Sequence, residues 1–189
     1  MNAETPTTTN EQLQQAKDDF ITQWGVIGNA WGISRTMAQI HALLMVSPEP
    51  LSTDQIMEEL QISRGNAHSN LRELVSWGVV KSVIKKGERK EFFESEKDVW
   101  KMFCTITRER KRREIDPALN VLIDCVHTTS EMDGQDAQDF HQQLVELCEF
   151  VQLASGVMDK IASAEESKAL PIALNWLKNR KLNKVSEVD

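Results

Sequence analysis

Three observations predict a mainly α-helical fold with one small β-hairpin. Residues 51–78 contain two short helical patterns separated by a tight turn, which is the arrangement of a helix-turn-helix. An alternating apolar and polar stretch follows and reverses through a Gly-containing polar loop, as in a hairpin. On both sides of this segment, apolar residues recur every three or four positions, as in longer amphipathic helices. The sequence therefore predicts a helix-turn-helix domain with a hairpin wing and a helical region beside it.

In chain order, this interpretation divides the 189 residues into five parts. A polar, Thr-rich N-terminus is predicted to be disordered, and the last residues are predicted to fray. Between them lie a packing or dimerisation helix, a winged helix-turn-helix domain and a helical dimerisation region. The bounds of the five parts are 1–11, 12–32, 33–97, 98–178 and 179–189.

The first two helices are predicted from periodicity and from a cap. Apolar residues from Leu13 to Trp31 recur at steps of three or four, which predicts a helix that ends near Gly32. Ser34 is a candidate N-cap for the next helix, and Pro48 ends that helix.

Local signals also mark the helix-turn-helix. Ser52 and Gln55 form a capping-box pattern for a helix over 53–60. Ser63 is a candidate N-cap for the second helix, and Gly78 is the residue expected just after its end. The hairpin is predicted to consist of strands at 79–84 and 91–94 with a turn at 85–90.

The second helix has one apolar and one polar face when its residues are placed at intervals of about 100°. The apolar face contains Ala67, Leu71, Leu74 and Val75. The opposite face carries small or amide residues, with Arg72 at its flank: Gly65, Asn66, Ser69 and Asn70. An Asn side chain presents a donor beside an acceptor, which suits adenine in the major groove of DNA. The alternative interpretation is a solvated face made of poor helix formers.

The predicted DNA contacts divide by side-chain chemistry. Asn66, Ser69 and Asn70 are predicted to read bases. Ser63, Arg64 and Arg72 are predicted to contact phosphate, because a helix N-terminus and basic side chains attract anions. The basic hairpin residues are predicted to lie along phosphate or to enter the minor groove: Lys85, Lys86, Arg89 and Lys90.

The charge distribution supports a nucleic-acid partner, although the net charge of the chain is −7. Residues 61–113 carry 14 Lys and Arg against 7 Asp and Glu, whereas the remainder carries 8 against 22. Basic charge is thus concentrated where phosphates would lie. The run from Arg108 to Arg113 has two open interpretations: it contacts the DNA backbone, or it is a solvated face paired with Glu109 and Glu114.

The second half of the chain is predicted to be helical. Asp116-Pro117 interrupts a helical pattern, which predicts either a kink or a new helix with Asp116 as N-cap. From Ala137 to Ile161, apolar residues alternate steps of three and four, and a shorter helix is predicted at 170–177. These apolar surfaces exceed what one small winged domain can cover, which predicts a homodimer. Its contacts are assigned to Phe20, Trp24, Phe140, Leu144, Leu147, Val151 and Met158.

Several classes of protein are disfavoured. No apolar run reaches the length of a membrane span and no secretory leader is present, which predicts a cytoplasmic protein. The three cysteines, Cys104, Cys125 and Cys148, are widely spaced and odd in number, which argues against a disulfide framework. A zinc set of Cys125, His127, His141 and Cys148 is disfavoured, because residues i and i+2 of a helix point apart and no C-x-x-C pair occurs. No catalytic motif occurs, so neither an enzyme nor a cofactor is predicted.

A series of local sequences spans roughly residues 20–125. It includes Trp31-Gly32, Ser34-Arg35, Ser47-Pro48-Glu49-Pro50-Leu51-Ser52, Ile62-Ser63-Arg64-Gly65-Asn66, Asn70-Leu71-Arg72-Glu73-Leu74, Trp77-Gly78-Val79-Val80 and Gly87-Glu88-Arg89-Lys90. In these residues the chain resembles the MarR/GbsR-type winged helix-turn-helix transcriptional regulators of bacteria and archaea. The resemblance implies a homodimeric DNA-binding regulator that is often switched by a small molecule. Two-fold pairing would place the two reading helices on a near-palindromic operator in double-stranded DNA, and we expect the regulator to be a repressor.

The resemblance also implies a class of effector. The GbsR-like branch is associated with sensing quaternary ammonium compounds such as choline or glycine betaine, which aromatic rings bind by cation–π attraction. The candidate cage residues are Trp24, Trp31 and Trp100. The alternative is that these rings are core residues, as Trp at helical spacing usually is.

A protein-interaction adaptor is the second function class, because winged helices also occur without DNA binding. An adaptor would expose apolar residues on the second helix and the hairpin. The sequence has polar and basic residues there, which favours the sequence-specific DNA-binding regulator.

Overall fold

The computed structural model describes residues 9–164. The chain forms two compact units that adjoin in sequence between Lys97 and Asp98. The predicted helix at 170–177 and the predicted frayed segment lie outside the described residues. The first unit contains α1 (Thr9–Ala30), α2 (Arg35–Val46), β1 (Leu51–Ser52), α3 (Thr53–Leu60), α4 (Arg64–Ser76), β2 (Val80–Ile84) and β3 (Glu91–Ser95). The second contains α5 (Val99–Arg110), a π-helical turn (Lys111–Ile115), α6 (Asp116–Thr129) and α7 (Gln135–Ser163).

Helix α1 packs closely against α2. A Cβ atom added at Gly28 would lie 2.5 Å from Cβ of Ala38, and one added at Gly25 would lie 2.7 Å from Cγ of Gln39. Glycine is therefore required at these two helical positions for the close approach of the helices. The helix begins at Thr9, so the prediction that residues up to 11 are disordered is wrong for the last three of them.

The predicted caps of the helix-turn-helix are confirmed. The Ser52 hydroxyl accepts from the Gln55 amide, and the Gln55 side chain accepts from the Ser52 amide, so α3 begins with a capping box. Oγ of Ser34 accepts from the Met37 amide at 3.3 Å, and Oγ of Ser63 accepts from the Asn66 amide at 3.3 Å. These bonds satisfy amide groups that the first turn of a helix leaves unpaired.

A three-stranded antiparallel sheet follows α4, with strand order β1-β3-β2. Val83 pairs with Phe92 across the hairpin, and Leu51 pairs with Phe93 at the other edge of β3. Gly78 has φ of 75°, which is the left-handed conformation that lets the chain leave α4 and enter the wing. Strand β1 was not predicted, because a two-residue strand has no alternation to detect. The fold is thus mainly α-helical with a small hairpin wing, as predicted.

The core of the first unit lies between α2, α3, α4 and the sheet. Ile40, Leu44, Ile56 and Leu71 are fully buried. Fully burying such a side chain contributes about 1.5–3 kcal/mol. Val75, which was predicted on the apolar face of α4, is instead 39% exposed, because it lies at the margin of the face that Ala67, Leu71 and Leu74 define.

Lys97 and His41 belong to the end of this core. Nζ of Lys97 donates to the carbonyl oxygens of Leu44, Met45 and Ser47 at 2.6, 3.0 and 2.8 Å, which satisfies the last turn of α2. The His41 side chain is buried, and its Nε2 atom has no hydrogen-bond partner within residues 9–164. Burial, and secondly the charge of Lys97, lowers the pKa of His41 to about 4.

In the second unit, α5 runs into α6 through the π-helical turn. Pro117 lacks an amide hydrogen and its ring crowds the preceding turn, and the chain accommodates it by widening one turn. The Asp116 amide donates to the carbonyl of Lys111, five residues earlier. Of the two predicted alternatives, a new helix with Asp116 as N-cap is contradicted: Asp116 lies inside the helix, and its carboxylate accepts from Nζ of Lys111 at 2.7 Å.

Helix α7 begins after Gly134, whose φ is 108°, and packs against α6 and α5. Its buried residues are Leu144, Cys148, Ser155 and Ala162. The apolar residues that recur from Ala137 to Ile161 are therefore buried only in part, since Phe140 is 52% exposed and Leu147 is 49% exposed. No helix within residues 9–164 is long and apolar enough to cross a membrane.

Candidate nucleic-acid interface

The outer face of α4 forms an open groove of about 410 Å³. It lies opposite the buried residues Ala67, Leu71 and Leu74. Its lining consists of Gly65, His68, Ser69, Arg72, Glu73 and Ser76. Ser69 was predicted on this face, whereas Arg72, predicted at its flank, is part of the groove itself. A polar helix face that carries a guanidinium can contact base edges and phosphate.

Asn66 and Asn70 lie beside this groove and contact each other. Nδ2 of Asn70 donates to the backbone oxygen of Asn66 at 2.8 Å and to its Oδ1 at 2.7 Å. Asn66 is exposed and Asn70 is half-buried, because Asn70 lies further toward the apolar side of the helix. The pair leaves the amide nitrogen of Asn66 and the amide oxygen of Asn70 available. One donor and one acceptor side by side match the edge of adenine.

At the N-terminus of α4, Arg64 lies next to the capping residue Ser63. Nη2 of Arg64 donates to Oδ1 of Asp54 at 2.6 Å. Nζ of Lys90, from the end of the wing turn, donates to Oδ2 of the same carboxylate at 2.8 Å. The hydrogen bond and charge of Lys90, followed by the bond from Arg64, lower the pKa of Asp54.

The four cations of the wing turn have different surroundings. Nζ of Lys85 lies 4.6 Å from the centroid of the Phe92 ring and 3.5 Å from the carbonyl oxygen of Pro50. Lys90 is paired with Asp54. Lys86 and Arg89 are exposed, and the described part of the chain offers neither of them an ion-pair partner. These two cations are therefore the ones most accessible to a phosphate.

The cations of the run from Arg108 to Arg113 all have partners in their own unit. Arg110 pairs with Glu114 at 3.4 Å, and Arg112 and Arg113 pair with Glu109 at 2.7 and 3.1 Å. Hydrogen bonds from Arg112, and then from Arg113, lower the pKa of Glu109 against the opposing effect of burial. Of the two interpretations of this run, the contacts match the face paired with Glu109 and Glu114.

The remaining cations of the run are held by helix α7. Lys111 pairs with Asp116 at 2.7 Å and with Asp159 at 3.2 Å, and its side chain is only 16% exposed. Arg108 donates to the carbonyl oxygen of Ala162 at 2.8 Å. These contacts join the run to the neighbouring helix of the same unit.

Two of the predicted cage residues, Trp24 and Trp100, contact rings other than those of the cage. The Trp24 ring lies 5.4 Å from that of Phe20, within the first unit, where Trp31 is 67% exposed. The Trp100 ring lies 5.7 Å from that of Phe103, and its Nε1 donates to the carbonyl of Ala164 at 3.0 Å, within the second unit. The cage thus stays a prediction from the resemblance.

Sequence reasoning missed several residues of this surface. His68, Glu73 and Ser76 line the groove of α4, and their spacing from Ser69 and Arg72 at three or four positions could have indicated them. Glu73 also accepts from Nε1 of Trp77 at 2.8 Å. Asp54 gave no comparable signal, since it lies on a different helix and meets Arg64 and Lys90 only in three dimensions.

Comparisons with known proteins place the chain among regulators of transcription. No family model matches it. It is 22% identical over 169 residues to the HTH-type transcriptional repressor GbsR of Bacillus subtilis. This alignment covers 85% of the present chain and 93% of GbsR. It is 24% identical over 94 residues to the putative HTH-type transcriptional regulator YvaV of Bacillus subtilis, which covers 50% of this chain and 53% of YvaV.

A solved structure supports the fold. The crystal structure of a transcriptional regulator superposes with a TM-score of 0.54 at 19% identity, and covers 77% of this chain and 99% of that chain. The sequence relatives and the winged helix-turn-helix geometry agree. In sequence and in fold, the chain is therefore similar to winged helix-turn-helix transcriptional regulators of the MarR/GbsR type.

Proposed function

We propose that the protein is a repressor that binds a near-palindromic operator in double-stranded DNA as a homodimer. The observation that carries this proposal is the α4 surface: a polar groove beside two available amide groups, with exposed Lys86 and Arg89 on the adjoining wing. Repression is proposed because GbsR, the relative matched over most of its length, is named a repressor.

In this proposal α4 enters the major groove. Asn66, Ser69 and Asn70 read bases, and the N-terminus of α4 with Ser63 and Arg64 contacts phosphate. Arg72 lines the groove, where its guanidinium can reach phosphate or a guanine edge. The wing contributes its basic residues to the DNA backbone, with Lys86 and Arg89 in the most accessible positions.

The second copy of the chain is proposed to cover apolar surface on α7. Phe150 and Leu153 are each 68% exposed, and Phe140, Leu147 and Val157 continue this surface along the same helix. Val151 and Met158 are half-buried beside it, whereas Leu144 already packs inside its own unit and serves as support. Phe20 and Trp24 on α1 are half-buried and are proposed as further contacts. The proposed dimerisation region comprises residues 98–178.

Footprinting of the purified protein on its own promoter and on neighbouring promoters tests the DNA proposal. We expect protection of two half-sites whose centres are about 34–36 Å apart, because a two-fold dimer places two reading helices in successive major grooves. Binding to random duplexes with the same affinity at every sequence would contradict sequence-specific recognition.

Analytical ultracentrifugation tests the dimer. The wild type is expected to be dimeric at micromolar concentration, and Leu153→Asp is expected to weaken the dimer by about 2 kcal/mol or more, because it buries a charge in an apolar contact. Gln138→Asp adds the same charge at an exposed position of the same helix and should leave the dimer intact. A monomeric wild type would refute the dimer.

The alternative function, a protein-interaction adaptor, predicts apolar exposure on the candidate interface. Ile84, at the end of β2, is 87% exposed. The α4 groove itself is lined by Gly65 and by polar or charged side chains, including His68. This lining favours DNA over an apolar peptide.

Sensing of a quaternary ammonium compound stays a prediction. Calorimetry with choline and with glycine betaine, on the wild type and on the Trp31→Ala and Trp100→Ala variants, measures it directly. Heat that disappears in either variant would support the cage, and no heat at millimolar ligand in the wild type would remove it.

A further inference from the structure

Asp54 brings together two cations from different elements. Its Oδ1 accepts from Arg64 at the start of α4, and its Oδ2 accepts from Lys90 at the end of the wing turn. A DNA phosphate also presents two neighbouring anionic oxygens, each able to accept from a cation. The geometry around Asp54 is therefore that of two cations converging on one phosphate-sized anion.

The three side chains are all accessible to solvent. Side-chain exposure is 43% for Asp54, 70% for Arg64 and 60% for Lys90. Ion pairs this exposed contribute little to the stability of a fold. An anion in solution or on DNA can therefore reach both cations, and the fold does not depend on their staying paired with Asp54.

We propose that Asp54 is an internal substitute for a DNA phosphate: it binds Arg64 and Lys90 in the free protein and is displaced from them when DNA binds. This inference rests on the proposed function, since both cations belong to the proposed phosphate contacts. Its consequence is a weaker affinity for DNA of any sequence, because every complex must exchange a carboxylate for a phosphate. Asp54 is thus a residue that limits sequence-independent binding.

The test compares Asp54→Asn with Glu59→Gln. Both variants remove one negative charge from α3, but Glu59 makes no ion pair within residues 9–164. The probe is a short random-sequence duplex, titrated at several salt concentrations. Asp54→Asn is expected to bind it about tenfold more tightly near 0.1 M salt and to increase the magnitude of the salt slope by about one, since one more net positive charge faces phosphate. Glu59→Gln should change both quantities far less.

A second arm isolates the two cations. In a background that carries Arg64→Gln and Lys90→Gln, Asp54→Asn should give no more gain than Glu59→Gln, because no cation is left to release. A gain of equal size in that background would overturn the exchange and indicate a general charge effect. Asp54→Ser, compared by circular dichroism, controls for any local change at the N-terminus of α3.

The remaining outcomes separate this inference from the proposed function. If the wild type binds duplex DNA and Asp54→Asn behaves like Glu59→Gln, the inference fails and the proposed function stands. Weaker binding by Asp54→Asn would also overturn it, because the carboxylate would then be needed to position the two cations. If the wild type binds no duplex at low salt, the proposed function fails and this inference fails with it.

Discussion

Two regions of this chain are rich in Lys and Arg, and they use those residues differently. The first, the interface region, consists of α4 and the wing, where Arg72, Lys86 and Arg89 have no ion-pair partner within residues 9–164. The second, the paired region, is the run from Arg108 to Arg113, where every cation contacts a carboxylate or a carbonyl of its own unit. Both regions are thus rich in basic residues, but only the interface region has cations that are available to bind DNA phosphate.

The difference arises from the carboxylates nearby. In the paired region, Glu109 and Glu114 lie three or four residues from the cations on one helix, which is the spacing at which side chains meet. In the interface region, Asp54 is the carboxylate that holds Arg64 and Lys90, and it comes from another helix. Local spacing therefore indicates which cations are neutralised within a helix, and a long-range contact can change that result.

The largest expected difference between the two regions is in their contribution to DNA affinity, and it is measured by neutralising three cations in each. The variant R72Q/K86Q/R89Q should lose about three units of salt slope and about 10²–10³ in affinity for duplex DNA near 0.1 M salt. The matched variant R110Q/R112Q/R113Q should change the affinity by less than about threefold, because its cations are already paired. Fluorescence anisotropy across a salt series measures both. Equal losses in the two variants would end the distinction between the regions.

Acid is expected to lower the stability of the first unit through His41. The folded pKa of His41 is about 4, below its unfolded value of 6.5, so the unfolded state binds the proton first. His41 should therefore lower the free energy of unfolding by up to about 3 kcal/mol as pH falls from 6.5 to 4, with no further change below 4. Denaturant melts of the wild type and of His41→Leu across this range give the difference. Parallel pH profiles would show that His41 is not the cause.

The base-reading amides sharpen the interface region itself. Asn66→Ala or Asn70→Ala should cost about 1–3 kcal/mol on the operator and little on random DNA, because each removes one partner of an adenine contact. Ser76→Ala, at the far end of the same groove, is the matched control. If both amide variants lose affinity equally on the two DNAs, the residues do not read bases.

The smallest effect is expected from Glu109→Gln, which removes the charge that Arg112 and Arg113 share. The folded pKa of Glu109 is lowered, so its contribution to stability is present above its unfolded pKa and is lost as pH falls through the folded value. At neutral pH the substitution should cost about 1 kcal/mol or less, and the salt slope of DNA binding should stay unchanged. A steeper slope would show that cations of this run reach DNA.

Short-range chemistry made much of this fold predictable. The caps at Ser34, Ser52 and Ser63 and the left-handed Gly78 are confirmed, because each depends on residues at most three positions away. Features that depend on tertiary packing were missed. They include strand β1, the exposure of Val75 and the half-burial of Asn70.

The candidate interface was predictable in its location and less so in its detail. The polar face of α4 was predictable from helical periodicity. The ion pairs of Asp54 were not predictable, because Asp54 and Lys90 are distant in sequence. Lys85 was grouped with the other wing cations by charge alone. Its contact with the Phe92 ring depends on the pairing of β2 with β3, which sequence spacing does not give.

The π-helical turn between α5 and α6 acts as a phase shift along one helical rod. A π turn holds about one residue more than an α turn, and one residue corresponds to a rotation of about 100°. Any periodicity read in α5 is therefore out of phase with α6. Deleting one residue within 111–115 would rotate the following side chains, including Val121 and Ile123, which are now 61% and 43% exposed. The length of this five-residue segment, more than its composition, determines which apolar side chains of α6 face outward.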